Sequence, residues 1–142
     1  MNLKIKRLHP DAILPVRAHA TDAGLDLYAA EQVGIPVLGR TLVGTGIAAA
    51  IPEGYVGYIT PRSGLAHSNG ITVLNSPGTI DAGFTGEIKI ILINHGQAPY
   101  LIQPGERIAQ LVIHKIELPW VQEVNELPTS DRGTNGFGST GQ

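Results

Sequence analysis

The chain has no cysteine among its 142 residues. This absence excludes disulfides and thiolate metal sites. Charged residues make up only 15% and the net charge is −2, so nothing indicates the basic face that a nucleic-acid partner normally requires. No apolar run reaches the roughly 18 residues of a membrane span, and the N-terminus lacks a signal-peptide pattern. We expect a cytoplasmic protein with no nucleic-acid or membrane partner.

Glycine and proline are abundant, at 18 and 10 residues, which leaves little room for long helices. The apolar segments are short, rich in valine, isoleucine and threonine, and bounded by turn residues, as in a sheet of many short strands. The segment at residues 107–118 could also form a helix, but its β-branched residues favour a strand. We expect an all-β fold, as a sandwich, jelly roll or barrel. The candidate strands are residues 3–8, 26–30, 32–37, 41–51, 55–61, 71–75, 86–94, 100–103 and 107–118.

The domain organisation changes near Pro119, where the apolar pattern stops and glycine, serine and threonine become frequent. At this length a single compact core is expected. We therefore predict a β-rich core over residues 1–120 and a C-terminal arm over residues 121–142.

The segment 60–70, "TPRSGLAHSNG", offers a guanidinium, a hydroxyl and a glycine in succession. Arg62 can bind a phosphate bidentately, Ser63 can donate to another oxygen, and Gly64 allows a close backbone approach. The same residues also suit a plain turn with a solvated arginine.

Three further polar residues could carry chemistry. Asp81 could act as general base on a water that attacks a phosphoryl group, or it could cap the turn that it precedes. Asp26, between two apolar residues of a strand, could bind Mg²⁺ together with substrate phosphates, or it could be solvated. Gln110 lies inside an apolar run and must either support a hydrogen-bond network or face a ligand.

In their order, these segments resemble the trimeric dUTP pyrophosphatase (dUTPase) family. The matching motifs are "AGLDLYAA", "PRSGLA", "NSPGTIDAGFTGEI", "GERIAQL" and "RGTNGFGSTG". The resemblance implies a jelly roll of the β-clip type, assembled as a homotrimer with active sites between subunits. It also implies Mg²⁺-assisted hydrolysis of dUTP to dUMP and pyrophosphate, by attack of water on the α-phosphorus.

The resemblance also implies a role for each matched residue. Asp81 would activate the water, and Asp26 would hold Mg²⁺ through water. The phosphate contacts would be Arg62, Ser63, Gly64 and Gln110. Uracil would be read by the turn from Asn75 through Thr79 and Ile80, with Lys89 nearby. The arm would close over a neighbouring subunit's site with Arg132, Phe137, Gly138 and Ser139.

The sequence departs from the family pattern at two positions. Phe84 stands where the family usually has tyrosine, whose ring packs on the deoxyribose and excludes a 2′-hydroxyl. Asn135 stands where the family commonly has glycine, and asparagine tolerates a positive φ better than most residues. Shape discrimination against UTP and closure of the arm are both expected to survive.

Two other functions share this scaffold. A dCTP deaminase needs a glutamate in the strand that here reads "IKIILIN", and Ile91 occupies that place. Isoleucine cannot transfer protons to a ring nitrogen, so deamination is disfavoured. A nucleotide sensor without catalysis would have no need for a water-activating carboxylate at position 81.

The ring of Phe84 gives a first prediction. Replacing it by Phe84→Ala opens space for a 2′-hydroxyl, so the preference for dUTP over UTP should fall by roughly 10-fold or more. Phe84→Tyr keeps the ring and serves as the control that retains the preference. The ratio of kcat/KM for the two nucleotides measures the effect, and an unaltered ratio in Phe84→Ala would show that another residue enforces it.

Overall fold

The computed structural model describes residues 2–136, which form ten strands and one short helix. The elements in chain order are β1 (Lys4–Arg7), β2 (Gly24–Tyr28), β3 (Val33–Ile35), β4 (Arg40–Ala50), β5 (Tyr55–Thr60), α1 (Ser63–Asn69), β6 (Ile71–Val73), β7 (Gly78–Ile80), β8 (Glu87–Asn94), β9 (Tyr100–Ile102) and β10 (Arg107–Lys115).

The strands form two four-stranded antiparallel sheets and one two-stranded sheet. The order is β1-β4-β8-β6 in the first sheet and β2-β10-β5-β7 in the second, while β3 pairs with β9. Alternate side chains of all three sheets meet in one buried cluster, which includes Val43, Ile90, Leu111 and Ile102. The all-β fold predicted from the short apolar segments is confirmed.

Strand β5 is central to the second sheet because it pairs along both edges. On one edge Gly57 faces Ile80 of β7, and on the other Gln110 of β10 faces Thr60. Strand β10 pairs in turn with β2, where Gln110 faces Asp26. Directly opposed residues of antiparallel strands share a face, so this register places Asp26, Gln110 and Thr60 side by side.

Two elements were not expected from the sequence. Helix α1 has only seven residues and ends at Gly70, whose φ of 69° is left-handed and whose N–H donates to the Ala66 carbonyl at 3.1 Å. Strand β7 has three residues inside the "NSPGTID" turn segment. Elements this short carry too few residues for a hydrophobic period to show. The long segment after residue 107 is a strand, as its β-branched content predicted.

Beyond β10 the described chain has no strand or helix, and every residue from 117 to 136 is exposed. Trp120 is 97% and Val121 99% exposed, so nothing within residues 2–136 covers these large apolar side chains. The sequence placed the boundary of the arm at residue 121, while the last strand ends at Lys115. Within residues 2–136 no helix is long and apolar enough to cross a bilayer.

Candidate active site

A cavity of about 370 Å³ lies beside the end of β5. It contains all of the residues that the sequence assigned to phosphates and metal within the core, drawn from three separate segments of the chain. These are Asp26, Arg62, Ser63, Gly64 and Gln110. Ser63 and Gly64 begin helix α1 rather than a plain turn, and the Arg62 side chain before them is 28% exposed and paired with Asp26.

Asp26 is the electrostatic centre of the cavity. Its side chain is 15% exposed, and its two carboxylate oxygens face two different guanidinium groups. Oδ1 lies 3.3 Å from Nε of Arg62, and Oδ2 lies 3.4 Å from Nη1 of Arg107. Arg62 also donates from Nη1 to the Arg107 carbonyl at 3.1 Å. Asp22 also lines the cavity, so the cavity's two carboxylates and two guanidiniums balance in charge, while the guanidiniums supply N–H donors that suit an anionic ligand.

Gln110 connects the strands around the cavity. Its Nε2 donates to the Pro61 carbonyl at 3.1 Å, which fixes the backbone just before Arg62. A Cβ added at Gly24 would lie 2.0 Å from Oε1 of Gln110, so a glycine is needed there to leave room for the amide. Gln110 thus both supports a network and lines the cavity.

The residues predicted to read uracil and to activate water do not line this cavity. They belong to β7 and the turns on either side of it, and they are Asn75, Thr79, Ile80, Asp81 and Phe84. Phe84 is 44% exposed, so it is not a core residue. Its N–H donates to the Asp81 carbonyl at 3.2 Å, and its ring lies against Gly86.

The register of β5 explains this separation. Ile80 faces Gly57, so Asp81 follows at the level of Val56, six residues before Arg62. At about 3.3 Å per strand residue, the two levels are about 20 Å apart along β5. One chain therefore holds Asp81 and the cavity at opposite ends of the same strand.

The remaining site candidates lie in other parts of the chain. Lys89, on β8, is paired with Glu87 at a distance of 3.5 Å between Nζ and Oε2. Arg132 donates from Nε to the Asn135 carbonyl at 2.9 Å, in a turn where Gly133 rather than Asn135 has a positive φ, of 54°. Phe137, Gly138 and Ser139 lie outside the described residues.

Sequence reasoning gave no role to Arg107, which lines the cavity, although a charged residue at the start of an apolar strand is a usable signal. Asp22, which the sequence offers beside Asp26 as a second carboxylate of the kind that suits Mg²⁺, also lines the cavity. Backbone and side-chain hydrogen bonds from His19 lower the pKa of Asp22, which keeps this carboxyl ionised.

The cavity fits a magnesium ion only in combination with substrate. No group of three or more His, Cys, Asp or Glu side chains converges within residues 2–136. Asp26 keeps acceptor capacity because a carboxylate has about four lone-pair sites, and its two guanidinium contacts are long. Magnesium typically combines one or two carboxylates with waters and phosphate oxygens, and this donor set matches that mode.

A polar cavity with guanidinium, hydroxyl and amide donors, on an all-β scaffold, is typical of a nucleotide-handling protein. Residues 10–141 match the dUTPase family, and the chain belongs to that family. It is 52% identical over 141 residues to the deoxyuridine 5′-triphosphate nucleotidohydrolase of Clostridium kluyveri, with 99% of each chain covered. It is 54% identical to that of Corynebacterium diphtheriae, over 96% of this chain and 91% of the relative.

Solved structures give the same result. The dUTPase of Staphylococcus bacteriophage 80alpha with dUpNHpp superposes with a TM-score of 0.93 at 35% identity, covering 99% of both chains. A dUTPase mutant from phage phi11 of S. aureus, described as revealing the coordination of a structural Mg(II) ion, gives a TM-score of 0.84 at 31% identity. That match covers 91% of this chain and 100% of the phage chain.

The contact between Gly24 and Gln110 gives a second prediction. In Gly24→Ala the new methyl group displaces the Gln110 amide, which releases the Pro61 carbonyl and shifts Arg62. Because a misplacement of about 1 Å can cost about 100-fold in rate, kcat/KM for dUTP should fall by roughly 10- to 100-fold.

The matched control is Gly34→Ala in β3, where an added Cβ meets nothing within 4 Å. Its kcat/KM should stay at the wild-type value, and both variants should keep a circular dichroism spectrum like that of the wild type. Full activity in Gly24→Ala would show that the position of Gln110 does not matter.

Proposed function

We propose that this protein hydrolyses dUTP to dUMP and pyrophosphate. The observation that carries the proposal is the convergence of Asp26, Arg62, Ser63, Gly64 and Gln110 on one polar cavity. Relatives that match nearly the whole chain bear the name of this activity. The reaction would remove dUTP from the pool of DNA precursors and supply dUMP for dTMP synthesis.

Each part of the cavity has a chemical task in this proposal. Arg62 and Ser63 bind and orient phosphate oxygens, and Gln110 holds the segment that carries them. Asp26, with water, would hold the magnesium ion against the phosphates, where the ion would neutralise part of their charge. Asp81 accepts a proton from the water that attacks the α-phosphorus. The bond from that phosphorus to the bridging oxygen breaks, and pyrophosphate leaves.

A second copy of the chain must supply Asp81 in this scheme. Within one chain Asp81 lies about 20 Å along β5 from the level of Arg62, too far to act on a phosphate held there. A homotrimer that places the β7 turn of one copy at the cavity of another would complete the site. The exposed side chains of Trp120 and Val121 support such an assembly, because contact with another copy would bury them.

The uracil end of the site is assigned to the same turn. We propose that Asn75, Thr79 and Ile80 bind the base, that Phe84 packs on the deoxyribose, and that Lys89 lies near the base. The arm residues Arg132, Phe137, Gly138 and Ser139 would close over the bound nucleotide. The half-exposed ring of Phe84 is consistent with a ligand-facing role.

Deamination of dCTP remains the alternative that shares the scaffold. Ile91 lies on β8, where it faces Leu42 of β4, and it carries no group that could transfer a proton. No observation on the described residues favours deamination over hydrolysis. A sensor without catalysis would retain binding but release no product.

The third prediction tests the function directly. Wild-type protein with Mg²⁺ should release pyrophosphate from dUTP and no ammonia from dCTP, with little turnover of dTTP or UTP. Asp81→Asn should lose nearly all turnover, by roughly 100-fold or more, while its affinity for dUpNHpp changes little, because the general base is removed and the phosphate contacts stay.

Glu53→Gln, which changes an exposed carboxylate outside the cavity, is the matched control and should keep wild-type turnover. Ammonia from dCTP would support deamination. Binding of dUpNHpp by wild-type protein that releases neither product would support the sensor. Unchanged turnover in Asp81→Asn would remove Asp81 as the base.

A further inference from the structure

The hydroxyl of Tyr100 lies outside the cavity, yet it connects β9 to the start of β10. Tyr100 is the first residue of β9, where it faces Ile35 of β3, and its ring packs against the core. Its hydroxyl donates to one carboxylate oxygen of Glu106, the residue just before β10. Tyr100 belongs to none of the five motifs, and the site described above leaves its hydroxyl without a role.

The connection between β9 and β10 is a tight turn that Glu106 closes with its side chain. Pro104 and Gly105 occupy the two central positions, and Gly105 has a φ of 80°, as in a type II turn. The Glu106 N–H donates to the Gln103 carbonyl at 3.1 Å, and Oε2 of Glu106 accepts from the Gln103 N–H at 3.0 Å. Because the Tyr100 hydroxyl donates to Oε1, each carboxylate oxygen of Glu106 has its own donor.

The surroundings of Tyr100 keep its hydroxyl a donor. Burial raises the pKa of Tyr100 to about 12, the Glu106 carboxylate adds to this rise, and the positive charge of Arg62 opposes it. The hydroxyl is therefore protonated at neutral pH. Arg62 lies close enough for its charge to act on the hydroxyl, although Tyr100 itself does not line the cavity.

The turn also fixes the backbone carbonyl that binds Arg62. Ala29, directly after β2, donates to the Glu106 carbonyl at 2.9 Å and accepts from the Gly105 N–H at 2.8 Å, which ties the turn to the neighbouring strand. The next carbonyl along the chain, that of Arg107, accepts from Nη1 of Arg62 at 3.1 Å. The position of the Arg62 guanidinium therefore depends on where this turn is held.

We propose that Tyr100 is a positioning residue for Arg62. Its hydroxyl holds the Glu106 carboxylate, the carboxylate closes the turn, and the turn fixes the Arg107 carbonyl that orients the Arg62 guanidinium. This inference rests on the proposed function, since it concerns nucleotide binding only if Arg62 contacts the nucleotide. In the competing explanation the hydroxyl contributes only to the stability of the connection between β9 and β10.

The fourth prediction separates these explanations with a double-mutant cycle. The affinity for dUpNHpp with Mg²⁺ is measured by calorimetry in the wild type, Tyr100→Phe, Arg62→Gln and the double variant. Tyr100→Phe keeps the ring but removes the donor, so the turn loosens and binding should weaken by roughly 3- to 10-fold. In the Arg62→Gln background the same change should weaken binding by less than about 2-fold, because the guanidinium that the turn positions is gone.

Glu106→Gln tests the same connection from the acceptor side. The amide replaces one of the two acceptor oxygens by a donor nitrogen, so the Tyr100 hydroxyl and the Gln103 N–H can no longer both be bound as before. Binding of dUpNHpp should weaken by a similar factor, and Tyr100→Phe should add less than about 2-fold to it. The matched control is Tyr55→Phe, which removes a tyrosine hydroxyl at the start of β5, outside the cavity, and should bind dUpNHpp like the wild type.

The same weakening by Tyr100→Phe in the wild-type and Arg62→Gln backgrounds would overturn the proposal. Unchanged affinity in Tyr100→Phe or in Glu106→Gln would also overturn it, and a lower unfolding temperature with that affinity would assign the hydroxyl a structural role only. These outcomes differ from a failure of the proposed function, in which the wild-type protein itself would release no pyrophosphate from dUTP.

Discussion

The pairing of β5 along both of its edges is the constraint on which the site depends. One edge holds β10, which brings Gln110 beside Thr60 and next to Asp26. The other edge holds β7, and its register places Asp81 near the start of β5. The same ladder of hydrogen bonds thus builds the cavity and keeps the proposed general base away from it within one chain. In the proposed mechanism, a completed site requires contact between copies of the chain.

Within the cavity, charge is organised around Asp26. Two guanidiniums on neighbouring segments would repel each other, and the carboxylate between them reduces that repulsion and orients both. The two guanidiniums retain N–H donors that suit phosphate oxygens, even though the whole chain is slightly acidic, with a net charge of −2. The mainly uncharged remainder of the cavity wall, including Gly24 and Gln110, leaves room for phosphate oxygens.

The sequence predicted the β-rich fold, because short β-branched segments between turn residues have few alternatives to strands. It also pointed to Asp26, Arg62 and Gln110, which line the cavity, through their chemical groups and the order of the motifs that contain them. The β-bulge between Arg107 and Ala109, where two steps on β10 face one step on β2, was not predictable, because a shift of one residue in the alternation of a short strand cannot be recognised in the sequence. The distance between Asp81 and the cavity depends on strand register, which the order of motifs does not specify.

The shared site is tested most directly by complementation between two inactive variants. Asp81→Asn and Arg62→Ala are each assayed for dUTP hydrolysis, then mixed in equal amounts, unfolded together and refolded. If one copy supplies Asp81 to the cavity of another, random assembly should restore about one quarter of the sites. A site needs an intact Arg62 from one copy and an intact Asp81 from its neighbour, and each is present with a probability of about one half. Activity no greater than the sum of the separate variants would contradict a site built from two copies.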